Sequence, residues 1–352
     1  MLSRQILNAS RVASKRVAAP AVQSVRTFKT VQQQQNAEEI RAGKVLTVTY
    51  KDGVRQEVEI PVEQQNSGPV VPPGADEKKP AVPLKQSVLE QLNPTMAKFT
   101  LPGKVAVVTG GGRGLGFNMA QALSEVGVRG IAIMDVQKQL GEEAARELSE
   151  QTGVDVRFYQ VDVRDGGAIN QAVSDIVDHF GAIDVLLNAA GIADSNIKAE
   201  TYDPEMFRRL IDINLTGSFL VAQAVGKQMI KAKTGGSMIF VASMSGSIVN
   251  YPQEQSCYNA SKAGVIQLVK SLATEWARHG IRVNSISPGY MDTALNRVPA
   301  LDAQKKIWIE NTPQKRLGAV DDLNNLAVYL ASPASAFMTG SNCIIDGGYT
   351  LW

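Results

Sequence analysis

The chain has 352 residues, 44% of them apolar, enough for one large domain or two ordinary ones around a real core. Two cysteines (Cys257, Cys343) and two histidines (His179, His279) exclude a disulfide framework, a zinc cluster and any multi-histidine metal site, so no metal is expected. The net charge of +2 is unevenly spread: residues 1–37 hold six basic residues and no acid, leaving 30 basic against 34 acidic residues elsewhere, and a nucleic-acid partner is not expected. No apolar run approaches the ~18 residues of a membrane span.

In chain order, residues 1–28 come first. They are Arg-rich, Ser-containing and acid-free, with Leu2, Ile6 and Leu7 able to share a helical face. That composition predicts a mitochondrial transit peptide, with Arg26-Thr27-Phe28 resembling a cleavage site and the matrix as destination. An ordinary basic tail has the same composition. Residues 29–98 read as a Pro/Gln-rich arm holding seven of the 15 prolines. Within it, two β-prone runs around Asp52-Gly53 predict a hairpin over residues 45–60.

From residue 99 to 352 short apolar runs alternate with helix-like stretches. The runs are Val105–Thr109, Ile131–Met134, Val154–Val161, Val185–Leu187, Met238–Val241, Ile281–Ile286 and Cys343–Ile345; the clearest helices are Leu140–Glu150 and Val265–Ala277. This predicts one α/β domain, a Rossmann-type doubly wound fold with a seven-stranded parallel sheet covered by helices on both faces.

The first run ends in Thr109-Gly-Gly-Gly-Arg-Gly-Leu-Gly116 and leads into a helical stretch. Glycines there allow a sharp turn and close approach of a pyrophosphate to free helix N–H groups. Asp135, closing the next run, suits a ribose 2′-OH and repels a 2′-phosphate. A lone Tyr-x-x-x-Lys is close to chance, but among eight tyrosines only Tyr258 has a lysine, Lys262, four residues on. A phenol titrates near ~10 and needs acidifying to take a proton at neutral pH; an ammonium one helical turn away is expected to lower it. Ser243 can hold a substrate oxygen against Tyr258.

The spacing Gly110, Gly114, Gly116 is not the common dinucleotide fingerprint, and here the sequence resembles the short-chain dehydrogenase/reductase family. Asp162-Val163, Asn188-Ala-Ala-Gly191, Asn214, Ser243, Tyr258-Asn-Ala-Ser-Lys262, Pro288-Gly289 and Thr293 follow in that family's order. The resemblance implies catalysis by Asn214, Ser243, Tyr258 and Lys262. It also implies cofactor binding by Gly110, Arg113, Gly114, Leu115, Gly116, Asp135, Asp162, Val163, Asn188, Tyr258, Lys262, Pro288, Gly289 and Thr293. Asp135 points to NAD; Arg113 keeps NADP open, since a basic residue there often accompanies it in the family. The resemblance further implies a homo-oligomer, tetramer or dimer, through the helices carrying Asn214 and Tyr258.

Tyr251-Pro-Gln-Glu-Gln and the ending Asp346 to Trp352 resemble sugar-alcohol dehydrogenases, among them D-arabinitol 2-dehydrogenases and the mannitol and sorbose reductases. The expected substrate is a polyol/ketose pair, D-arabinitol to D-ribulose favoured. An NADP-dependent mannitol- or sorbose-type enzyme, a 3-oxoacyl-carrier-protein reductase and a silent nucleotide-binding scaffold are the alternatives. Asn250, Tyr251, Gln253, Glu254, Gln255, Asp194, Ser195 and Asn196 either line a hydrogen-bonding pocket or are solvated loop residues. Tyr290 to Arg316, with Trp308, is expected to form a mobile cover. Ser245 competes with Ser243, which fits the family's Ser-x-x-Gly pattern. Cys257 reads as a buried small residue, and His179 and His279 as helix-end charges.

Overall fold

Seven short strands form one parallel sheet: β3 (Val105–Thr109), β4 (Gly130–Asp135), β5 (Asp155–Gln160), β6 (Val185–Asn188), β7 (Gly236–Val241), β8 (Ile281–Pro288) and β9 (Asn342–Ile345). Their spatial order is β5-β4-β3-β6-β7-β8-β9. The chain moves outward from β3 through β4 to β5, then returns to the other side of β3 as β6. Open α/β sheets bind ligands at that reversal, outside the carboxyl ends of the strands.

The computed structural model describes residues 44–51, 54–61, 80–194, 196–297 and 301–352; the expected transit peptide, the rest of the arm, the turn Asp52-Gly53 and Ser195 lie outside them. β1 (Lys44–Lys51) and β2 (Val54–Pro61) pair antiparallel, with Lys51 opposite Val54.

Strand residues alternate between the two faces, and each face has its own core. Val105, Val107, Leu186, Met238 and Phe240 pack on one side, against α3 (Gly166–Phe180), α5 (Ser218–Ala232) and α6 (Ser256–Trp276). Ala106, Val108, Ile131, Ile133, Leu187 and Ile239 pack on the other, against α1 (Gly114–Glu125), α2 (Lys138–Thr152) and α8 (Asn324–Ala331). This is the Rossmann-type doubly wound α/β fold. α4 (Pro204–Ile211) precedes α5, and α7 (Asp302–Asn311) lies between β8 and α8.

Helix starts follow local chemistry. Asp165 accepts the Gly167 and Ala168 N–H groups at the head of α3, and Asp203 accepts the Glu205 N–H at the head of α4. α6 begins nine residues before its apolar periodicity predicts, because Tyr258 to Lys262 are polar residues serving the site. Residues 80–98 are tied to the body: the Ala81 N–H donates to Gln151 Oε1 and the Leu84 N–H to Glu125 O. His179 Nε2 lies 2.7 Å from Asp155 Oδ2, a side-chain partner that its position beside Gly181 does not reveal.

Candidate active site

At the carboxyl end of β3 the glycine loop is a cradle that side chains would fill. Gly110 and Gly114 have φ of +63° and +58°, a region β-carbons disfavour. A Cβ at Gly116 would lie 2.2 Å from the Gly110 carbonyl oxygen, and one at Gly110 would lie 2.9 Å from Ala190 Cα. The loop therefore folds flat against the β6 turn, presenting the first N–H groups of α1. Leu115 packs on the adjoining core. Asp135 reaches into this loop: its carboxylate accepts the Gly112 N–H at 3.1 Å and the Gln137 N–H at 2.9 Å. Arg113 caps the start of α1 with extended backbone and no side-chain capping bond.

The floor of the cleft is cross-linked. Thr109 donates its hydroxyl to Asn188 Oδ1 at 2.9 Å and accepts the Ala189 and Ala190 N–H groups at 3.0 Å. Asn188 Nδ2 donates to the Ser218 carbonyl, joining β3, β6 and α5. Asp162 is held by Arg164, whose guanidinium lowers its carboxyl below the ordinary range. Val163 is buried against Gly217. The Gly289 N–H donates to Ile345 O beside Pro288, where a Cβ on residue 289 would meet Asp346 Cα at 2.6 Å. Thr293 heads the following turn. These residues ring the carboxyl ends of β3, β4, β5, β6 and β8, and they fit an extended dinucleotide.

α4 passes through a wider π-type turn, Asp212–Gly217, before α5. Such turns often occur at functional sites. Asn214 sits in it, fully buried; its side chain accepts the Ile192 N–H and donates to Ile192 O, both at 2.9 Å, and donates to Ser261 Oγ at 3.1 Å. Asn214 thus pins the turn after β6 to α6. On α6, Lys262 Nζ donates to Val241 O at 2.8 Å and lies 5.7 Å from the Tyr258 ring centroid. Tyr258 is hydrogen-bonded to Ser243. Gly246 lets the serine loop lie on α6: a Cβ there would be 2.7 Å from the Lys262 carbonyl carbon. The structure therefore gathers Asn214, Ser243, Tyr258 and Lys262 around one point of the cleft.

The expected acidification of Tyr258 is not present. Burial raises the phenol, only partly opposed by its bond with Ser243, and the same burial lowers Lys262 to about 8. The reason is geometric: Lys262 stands over the ring face and is engaged by the Val241 carbonyl, in a site that disfavours charge.

The polar loop also differs from a solvated one. Asn250, Gln253 and Gln255 are buried and bonded to each other and to Ser245, Tyr290, Gln304 and Trp308. Among the described residues of that set, Tyr251 alone is exposed, at 64%. The expected mobile cover is docked here, Tyr290 stacking on Trp308 at 4.2 Å between centroids and 7° between planes. Asp194 is buried and accepts the Tyr202 hydroxyl at 2.8 Å, while burial pushes the Cys257 thiol up to about 11. Sequence reasoning missed the roles of Ile192, Val241, Ser261 and Gln304. The first two act through backbone atoms, which carry no residue-type signal, and the partners of Gln304 lie 51 and 108 residues away. Among the described residues no group of three or more His, Cys, Asp or Glu side chains is placed to hold a metal, and no helix is long and apolar enough to cross a membrane.

A nucleotide cradle beside a tyrosine–lysine–serine cluster defines a dinucleotide-dependent oxidoreductase. A family model described as enoyl-(acyl carrier protein) reductase matches residues 110–350. The chain belongs to the short-chain dehydrogenase/reductase family. It is 42% identical over 256 residues (72% of this chain, 94% of the relative) to an NADP-dependent mannitol dehydrogenase of Alternaria alternata. It is 39% identical over 252 residues to a sorbose reductase of Schizosaccharomyces pombe (71% and 97%) and 38% identical over 269 residues to a ribulose-forming D-arabinitol 2-dehydrogenase of Scheffersomyces stipitis (72% and 96%). Among solved structures it is similar to a short-chain type dehydrogenase/reductase from Mycobacterium marinum (38% identity, 73% and 99% coverage, TM-score 0.70). A Burkholderia cenocepacia gluconate 5-dehydrogenase in complex with NADP and tartrate has TM-score 0.68 at 34% identity (72% and 98%). An NAD+-bound xylitol dehydrogenase has TM-score 0.66 at 34% identity (70% and 99%).

Proposed function

We propose that the protein interconverts a sugar alcohol and its ketose by hydride transfer with NAD, with D-arabinitol and D-ribulose as the favoured pair. The observation that carries this reading is the convergence of Ser243, Tyr258 and Lys262 beside a glycine cradle. Names of similar proteins, mannitol dehydrogenase, sorbose reductase and D-arabinitol 2-dehydrogenase, support the substrate class. The glycine cradle and Asp135 would hold the dinucleotide, whose nicotinamide would supply the hydride acceptor or donor. Ser243 holds the reacting oxygen, and Tyr258 removes its proton in oxidation and returns it in reduction. Lys262, bonded to Val241 O, is the cation that supports the phenolate, and Asn214 holds the turn after β6 in place.

NAD is supported by the Asp135 carboxylate held at the glycine loop, where a 2′-phosphate would meet a like charge. Arg113 at the head of α1 favours the second reading, NADP. Incubating the protein with D-arabinitol and oxidised NAD or NADP, and with a 3-oxoacyl thioester and NADH or NADPH, and identifying the products, tests the substrate class. D-ribulose supports the proposal; reduction of the thioester alone overturns it.

We further propose residues 1–28 as a mitochondrial presequence leading to the matrix. Import into isolated mitochondria with cleavage after Phe28 tests this, and an uncleaved external product contradicts it. A homo-tetramer or dimer formed through α4, α5 and α6 is supported by exposed Phe207 and Phe219. Light scattering of the eluting protein gives its mass, and a monomer contradicts it.

A further inference from the structure

Behind Ser243 a buried chain of side chains runs to Trp308, and its hydrogen bonds have one direction. The Trp308 indole is a donor only. It meets one side-chain atom of Gln253 at 2.9 Å, and that atom also receives the Tyr290 hydroxyl at 2.8 Å and Gln304 Nε2 at 3.2 Å. That atom is therefore the Gln253 oxygen, which leaves Gln253 Nε2 to donate to Gln255 Oε1 at 3.2 Å. Gln255 Nε2 then spends its two hydrogens on Asn250 Oδ1 at 2.7 Å and Asn259 Oδ1 at 3.0 Å, and turns the same nitrogen, which cannot accept, toward Ser245 Oγ at 3.2 Å. Tyr290 and Gln304 can each reverse their bonds; the indole cannot. Trp308 thus fixes the sense of every amide between itself and the serines. All three links are buried: Trp308 is 3% exposed, Gln253 9% and Gln255 5%.

The consequence falls on the serine pair. Ser243 Oγ and Ser245 Oγ are 3.0 Å apart, and Ser243 Oγ also accepts the Ser245 N–H at 3.1 Å. The two hydroxyls have two protons. One is shared between them, and because Gln255 turns a nitrogen that cannot accept toward Ser245, the other has no acceptor in the chain of amides. It is left on the cleft side, where Ser243 meets Tyr258 and a substrate oxygen would enter between them. With Gln255 reversed, Ser245 would donate to the amide and Ser243 to Ser245, and no proton would remain for substrate. We infer that Trp308, acting through Gln253 and Gln255, is a positioning device that keeps one serine O–H directed at the reacting oxygen. This rests on the reading that Ser243 holds that oxygen.

Gln255→Glu tests it with little change of shape. A carboxylate cannot donate to Ser245, whereas its protonated form can. The expected result is a fall in kcat of roughly 30-fold or more at pH 8, with the KM for the cofactor unchanged, narrowing as pH falls toward 6. Ionisable groups facing this chain are Tyr290 and Tyr349 from the loops, Tyr258 and Lys262 from α6, and Glu254 and Asp194 from the flanking turns; all are common to the wild type. Taking the variant-to-wild-type ratio at each pH therefore isolates the new carboxyl. A deficit that does not change with pH, or a wild-type kcat, overturns the inference.

A second readout needs no substrate, so it separates failure of the relay from failure of the polyol reading. The Trp308 indole N–H resonance, assigned by its loss in Trp308→Phe, should titrate in Gln255→Glu and stay still in the wild type; an unmoved resonance overturns the relay. Should Gln255→Glu not fold, Trp308→Phe decides the matter, because it keeps a ring against Tyr290 and removes the fixed donor together with one ring of the indole. There kcat should fall several-fold with cofactor KM retained, and an unchanged kcat overturns the inference.

Discussion

At the scale of single residues, the site trades stability for chemistry. Tyr258 and Lys262 are both held where charge is disfavoured, so each group is costly to the fold and useful to the reaction. Tyr258→Phe removes the proton-transfer atom, and turnover should drop by about 10³-fold while NAD binding, followed by quenching of protein fluorescence, persists. Retained turnover would remove Tyr258 from its role. Lys262 tests the electrostatics separately. Its folded value of about 8 lies below the ordinary lysine value of 10.5, so between those pH values the unfolded chain holds the extra proton. Wild-type stability from this group therefore rises as pH climbs from 8 to 10.5, and the burial cost is fully present below 8. Lys262→Met loses the bond to Val241 O yet should be more stable at pH 7 by about 1–2 kcal/mol, the gap closing by pH 10. Urea melts at the two pH values measure it. Asp135→Ser removes the negative charge at the glycine loop and should raise the NADP-to-NAD ratio of kcat/KM by about tenfold or more, a change of ~1.4 kcal/mol. An unchanged ratio would show that Asp135 does not govern the 2′ position.

At the scale of elements, the parts legible in the sequence were those with a local signal. All seven strands read as short apolar runs, and the glycine loop, Asp135 and the Tyr258–Lys262 pair are fixed by spacing on adjacent elements. Apolar periodicity alone starts α6 at Val265, because Tyr258, Asn259, Ser261 and Lys262 interrupt it; the four-residue spacing of Tyr258 and Lys262 is what marks its head as helical. The Trp308–Gln253 bond was illegible because its partners are 55 residues apart. A polar loop of glutamines looks solvated until something buries it, and here Tyr290, Gln304 and Trp308 do. The best-defined joint between elements is Thr109, whose hydroxyl serves Asn188 and two backbone N–H groups. Thr109→Val keeps the shape and strands those groups, so it should lower unfolding free energy by about 2–4 kcal/mol in urea melts. A loss under ~0.5 kcal/mol would mean that water replaces the hydroxyl.

At the scale of the whole molecule, one sheet supplies both halves of the chemistry. The reversal between β3 and β6 opens a crevice at the sheet's carboxyl edge, with the nucleotide cradle on β3 and β4 and the proton-transfer cluster on β7 and α6. The strand count is set by short apolar runs visible in the sequence, but the reversal is a property of the folded order and not of any run. Residues 80–98 extend this body past the first apolar strand by bonding to α1 and α2. The most direct test of the central claim is the initial rate of the purified protein on D-arabinitol, with NAD and NADP compared in parallel. Saturable turnover with a clear preference for NAD is the expected result. Folded protein that binds NAD yet oxidises D-arabinitol with neither cofactor would contradict it.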